Sequence, residues 1–279
     1  MSVVDFGDVT RGRSFANAAD AYLEFARKAF ARESTYRVEV FTSVGSLVLR
    51  VYLLRSLWTA LYAQNAAPSH IPLHAMITYA TVALLMSLVL EVDGTRLVRD
   101  KVREGTIATD LMKPISQPLY WFSDGFGQTL FHALTIVPSL AFALFLVHID
   151  VPSPGVFAAF AFSFVLGYFV NFLLNFCMNI IAFWTLEAFA LQMMVRWASD
   201  LLSGQILPLE FFPGILGTIV QGLPFAAIYS TPLRIYIGEL PASAWPAAMG
   251  VQAAWLVLFA GISTLAWRFA ERRIIVQGG

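Results

Sequence analysis

Three groups of residues have types and spacings that could do chemistry. Gly7, Gly12, Arg13 and Ser14, in GDVTRGRS, carry the glycine spacing of a phosphate-binding loop. Such a loop needs lysine where Arg13 stands, and it must follow a buried strand and open a helix of an α/β domain. Only six residues precede Gly7, so the spacing is coincidental and this chain binds no nucleotide by itself. His70 and His74 are separated as helical metal ligands would be, but Pro72 lies between them and no Cys, Asp or Glu is near in sequence. A zinc site needs three or four ligands, so the pair reads as loop histidines without metal. No HExxH, GxSxG or CxxC motif occurs, and no catalytic constellation marks the chain as an enzyme.

The third group is charged residues inside apolar runs: Arg50 and Arg55 in one, Arg196 and Asp200 in another. Each costs about 2.5–3.5 kcal/mol at a bilayer centre even on lenient scales. At 1.5 Å per residue Arg50 sits about 20 Å beyond Arg37, past mid-membrane, and Arg55 lies near the far interface, where snorkelling accounts for it. Arg196 and Asp200, at i and i+4, can pair with each other. Two readings stay open: a structural ion pair that locks helices, or Arg50, Arg196 and Asp200 lining a water-accessible path or subunit interface, with Glu187 as its acidic mouth.

The elements that must position these residues are membrane helices. Apolar residues make up 58% of the 279 and charged residues 13%, far from the composition of a soluble domain. Runs of about 20 apolar residues recur. They predict an all-α integral membrane protein with six spans, at about 38–62, 73–90, 120–147 (Pro138 kinking it), 156–183, 188–207 and 244–267. The single cysteine, Cys177, lies in a span, which excludes a disulfide framework. The N-terminus lacks the pattern of a signal peptide. Aromatic residues such as Trp121, Phe122, Trp184 and Trp245 fall near span ends, as interfacial anchors do.

Before span 1, residues 1–37 form a polar segment with a predicted amphipathic helix, Asn17 to Arg32. Tyr22, Phe25, Ala26, Ala29 and Phe30 share one face and Glu24, Arg27, Lys28 and Arg32 the other. That pattern predicts a helix lying in the membrane interface, aromatic face down; a helix packed on a partner is the alternative. Between spans 2 and 3 lies the one long charged segment, EVDGTRLVRDKVREGTIATDLMKPISQP, with a short helix predicted over about 96–104. Of 18 Lys and Arg, 14 lie before span 1, in this segment or after span 6, which places both termini and the charged segment in the cytosol. Residues 208–240 are apolar yet too rich in Pro and Gly for a simple span.

Two stretches carry a family resemblance. VREGTIATDLMKPISQPLYW resembles the cytosolic segment of ABC-2-type exporter permeases. LSGQILPLEFFPGILGTIVQGLPFAAIYSTPLRIYIG resembles the link between their spans 5 and 6. The resemblance covers nearly the whole chain. It implies a multi-pass permease of a bacterial inner membrane that pairs with a second permease, as homodimer or heterodimer, and binds two copies of a separate ATPase subunit. The ATP and magnesium belong to that subunit; this chain holds no cofactor, and its other contact is lipid, not nucleic acid. By the same resemblance a coupling helix at about 95–106 presents Arg96, Arg99, Lys101, Arg103, Glu104, Gly105 and Thr106 to the ATPase. A re-entrant cap at about 208–240 forms an outer gate with Pro208, Phe211, Phe212, Pro213 and Pro224, and residues 268–279 form a cytosolic tail. Spans 1, 2 and 5 line the path or dimer seam. Few fixed charges and many aromatics suit a hydrophobic or cationic amphiphilic compound, such as a drug or xenobiotic. An ion-coupled secondary transporter is the competing reading, but it needs an inverted repeat, and none is evident between residues 38–147 and 156–267.

Overall fold

The computed structural model describes residues 13–35, 37–64, 71–112, 115–185 and 188–277. Regular structure among them is helical throughout. Five helical stretches are long and apolar enough to cross a membrane: Val40–Ala63, Leu73–Leu90, Gln117–Leu146, Pro154–Phe183 and Ala242–Arg272. They coincide with the predicted spans 1, 2, 3, 4 and 6.

Helix α1 (Arg13–Glu33) precedes α2 (Arg37–Ala63) and α3 (Leu73–Leu90). Most of α3 is buried, from Ala75 to Leu90. A helix apolar all round belongs inside a bundle, and α3 is the central post here, with Tyr79, Leu85 and Val89 in the main core beside Leu47, Val51, Tyr168, Val170 and Leu233. Two short helices follow, α4 (Arg96–Arg103) and α5 (Ile107–Leu111).

Span 3 is made of α6 (Gln117–Leu134) and α7 (Ile136–Leu146). The expected kink falls at Thr135, whose N–H turns to His132 O at 2.9 Å. Pro138 explains it: its ring excludes the carbonyl four residues back, that of Leu134, and it has no N–H to offer. Helix α8 (Pro154–Ile180) is the longest unbroken partner of α12 (Trp245–Gln277). Gln252 of α12 is fully buried. It accepts from Ser163 Oγ at 2.9 Å and donates to Ala227 O at 2.7 Å.

The expected fifth span is the shortest, three residues shorter than α3. Helix α9 (Ala188–Leu202) has 15 residues, about 22 Å at 1.5 Å per residue, against a hydrocarbon core of about 30 Å. It stops at Gly204, which has φ 86 and whose carbonyl accepts from the Tyr79 hydroxyl at 2.6 Å. The chain turns there beside α3. It continues through a 3₁₀ turn (Leu209–Phe211) into α10 (Gly214–Gly222) and α11 (Ser230–Tyr236) before α12 begins. Ala226, Ala227, Ile228, Tyr229 and Leu233 of this segment are buried.

Helix α1 lies against α6 with its aromatic face, the ring centroids of Phe25 and Tyr120 standing 4.8 Å apart and those of Phe30 and Phe131 5.7 Å apart. Gly127 permits the approach, since a Cβ there would lie 2.1 Å from Ala26 O. Arg32 closes the contact with two bonds to Asp124, of 3.2 and 3.0 Å. Asp124 raises the Arg32 pKa above its ordinary value through that hydrogen bond, against the opposing effect of burial.

Candidate functional site

The charged segment is folded around two buried apolar side chains, Val98 and Ile107. Val98 of α4 is fully buried among Ile107, Trp121, Ile180, Phe183 and Ala270. With Val98 turned into the bundle, the seven residues expected at an ATPase contact divide into two sets. Arg96, Arg103, Glu104, Gly105 and Thr106 are exposed, and Gly105, at φ 72, lets the chain reverse between α4 and α5. Arg99 and Lys101 point inward. Lys101 pairs with the buried carboxylate of Asp110 and lies 5.4 Å from the ring centre of Tyr120. Arg99 donates to the side-chain carbonyl of Gln192 on α9.

Behind Arg99 lies a polar cluster that the sequence did not single out. Asn171, Asn175 and Asn179 recur every fourth residue along α8, a ladder visible in the sequence as regularly spaced amides in an apolar run. Asn171 donates to Leu90 O at 2.7 Å, closing the end of α3. Asn179 is 1% exposed. Its amide donates to Asp93 Oδ1 at 3.1 Å and to Thr95 Oγ1 at 2.7 Å, and its carbonyl accepts from Gln192. Asp93 also accepts from the Thr95 hydroxyl at 2.9 Å, fixing the turn into α4.

Three of the four intramembrane charges, Arg50, Arg196 and Asp200, gather around one residue, Glu91, just past α3. Arg196 Nη2 is 3.9 Å from Glu91 Oε2, and Gln205 donates to Glu91 Oε1 at 2.8 Å. Asp200 acts electrostatically on the same group, with Arg196 and Glu91 as its charged neighbours. Arg50 joins from α2: with Ser43, Ser46, Ser87 and Glu91 it lines a cleft of about 130 Å³. Arg50 lies beside Ser87, one turn from the α4 end of α3, and α2 runs on past that end. The antiparallel pairing fixes this register, with Trp58 packed beside Ile71, Ala75 and Met76 at the other end. Glu187 lies outside the described residues.

Arg55 has a structural task, donating to Leu146 O at the end of α7 at 2.6 Å. There a cation meets the negative end of the helix dipole. His74 lies 3.8 Å from Asp150, which His148 also approaches at 4.0 Å; His70 lies outside the described residues.

In the segment after α9, Pro208 and Pro224 are buried, Phe211 and Phe212 half-buried and Pro213 exposed. Phe211 packs on Trp58 of α2, with ring centroids 5.7 Å apart. Phe212 lies over Leu209, Val220 and Ala226. A second feature missed in the sequence holds this segment: Arg234 stands 3.0 Å from Glu210 and 3.5 Å from Glu239. Glu210 is separated from Arg234 by 24 residues, so no local spacing signals the triad.

These features define a class: a multi-pass, all-helical membrane protein with a charged helix tied beneath its spans and a folded-back segment at the other end of α9. A family model described as ABC-2 family transporter protein matches residues 40–278. The chain belongs to the ABC-2 family of transporter proteins. No curated protein and no solved structure matches it.

Proposed function

We propose that this chain is the permease subunit of an ATP-driven exporter in a bacterial inner membrane. Six crossings, α9 being the shortest, leave both termini in the cytosol, where the basic residues collect. The observation that carries the reading is the build of α4. It is anchored by Val98, tied to α8 and α9 by amides and an arginine, and leaves Arg96, Arg103, Glu104 and Thr106 outward for a separate subunit.

Two ATPase subunits hold two such helices, one from each permease of a homodimer or heterodimer. ATP and magnesium stay in those subunits. Apolar side chains exposed on α9, namely Leu191, Met194, Trp197 and Leu201, support a second permease as their cover. When ATP closes the motor, each α4 moves as a lever and the spans pass between two packings. The cargo enters from the cytosolic side past Arg50, Glu91, Arg196 and Asp200 and leaves past the segment 208–240. Irregular backbone at membrane depth is tolerated only where protein or a cavity covers it; buried Pro208 and Pro224 supply that cover, and with Phe211, Phe212 and Pro213 they form the outer gate. The cargo is a hydrophobic or cationic amphiphile, a drug-like compound. Acidic Glu91 at the cleft, Asp200 as its charged neighbour, and the aromatic interior support that class.

The reading is tested by uptake of a fluorescent lipophilic cation into inverted membrane vesicles containing this chain and its ATPase. ATP-dependent accumulation that disappears in Glu91→Ala is expected. Accumulation driven by a proton gradient without ATP would instead establish a secondary transporter.

A further inference from the structure

Side chains as well as the apolar anchor tie α4 to the spans. Gln192 and Arg196 stand one turn apart on α9, and Asp200 follows a turn later, so the three form one stripe. Both Gln192 and Arg196 meet the link between α3 and α4. Gln192 takes Arg99 of α4, and Arg196 takes Glu91 at the end of α3. Asn179 joins the two sides from within: it holds Asp93 and Thr95 through its amide N–H groups and Gln192 through its carbonyl. A buried amide that loses such partners incurs the full cost of its desolvation, so this arrangement favours one fixed geometry over loose contact.

We propose that Asn179 and Gln192 are positioning residues that clamp α4 to α9, so that a displacement of α4 is delivered to α9 and along its stripe to the charges around Glu91. The proposal rests on the exporter reading, because it names the internal route of the motor's stroke. Helix α9 is the element such a clamp can move. It is short, it ends at Gly204, and Leu191, Met194, Trp197 and Leu201 are exposed along it. Helix α8 is held by α12 and the buried Ser163–Gln252 contact, and its Asn179 is the fixed pivot about which α4 and α9 turn together.

The test has two parts, both on the full chain. In a Cys177→Ser background, spin labels at Arg103 and Leu201 report the α4–α9 distance in the permease alone. A narrow distribution is expected in the parent and a broadened one in Gln192→Leu and Asn179→Leu. In the reconstituted complex with its ATPase, those two substitutions are expected to leave basal ATP hydrolysis in place. Transport per ATP should fall about 2- to 30-fold, the range typical of residues along a coupling route. The swap Arg99→Gln with Gln192→Arg restores the pair in reverse and is expected to recover both readouts. Broadening without loss of coupling would make the cluster structural only and overturn the proposal, as would an unchanged distance. Should no ATPase associate at all, the exporter reading fails, and the distance distributions still decide whether these residues hold α4 to α9.

Discussion

Arg196 forms its ion pair with Glu91, 3.9 Å away at the end of α3, and not within its own helix. An i, i+4 pair with Asp200 would have stabilised α9 alone. The pair with Glu91 joins two helices, and together with Gln205 it makes Glu91 the point where α3, α9 and the folded-back segment meet. With Arg196 56% and Glu91 35% exposed at their side chains, the pair contributes little to stability, about 0–1 kcal/mol. Glu91→Gln and Arg196→Gln are therefore expected to leave thermal unfolding within about 1 kcal/mol of the parent while abolishing most transport. Parallel losses of both, measured on the same preparations, would mean the pair serves the fold.

The division of the charged segment into inward and outward sets makes a sharp contrast. Arg103→Ala and Glu104→Ala, at exposed positions, are expected to change stability by no more than about 0.5 kcal/mol and to weaken ATPase-subunit binding. Lys101→Ala removes one cation from the carboxylate of Asp110, 4% exposed, and is expected to destabilise the fold by up to about 3 kcal/mol. Thermal melts and subunit binding measured side by side distinguish the two effects.

The contact of α1 with α6 is set by bare backbone. Gly127→Leu is expected to push α1 off and destabilise the protein by about 1–3 kcal/mol, as overpacking does. Protease accessibility of residues 13–33 should rise with it. Arg32→Ala should have the same signature, since Asp124 is 5% exposed and loses its only charged partner seen in the described residues.

The triad of Arg234, Glu210 and Glu239 fixes the segment between α9 and α12. Arg234→Ala removes the guanidinium shared by two largely buried carboxylates and should cost up to about 3–5 kcal/mol. Arg234→Lys should recover part of this, because a point charge can serve two carboxylates less well than a guanidinium fork. A chemical-denaturation series on the three proteins checks the order.

Much of this was readable from residues 1–279 because lipid imposes long apolar runs. Five of the runs are helices of spanning length, and the break near Pro138 follows from a missing N–H. The short α9 was not readable, because its end is set by a tertiary contact, Tyr79 on the Gly204 carbonyl, which no local pattern announces. In α4 four cations surround the helix, and only burial of Val98 decides which of them turn inward. The amide ladder on α8 was present in the sequence as a four-residue spacing, but its partners, Asp93, Thr95 and Gln192, come from two other segments of the chain.

The central claim is that a separate ATPase drives this permease through α4, and affinity purification of the full chain from its native membrane tests it most directly. Partners identified by mass spectrometry should include a soluble subunit with Walker A and B motifs, lost when Arg103 and Glu104 are both changed to Ala and the permease itself remains folded. A second six-span protein in the same preparation would make the permease a heterodimer. Recovery of an intact, folded permease with no ATPase under conditions that preserve membrane complexes would contradict the account.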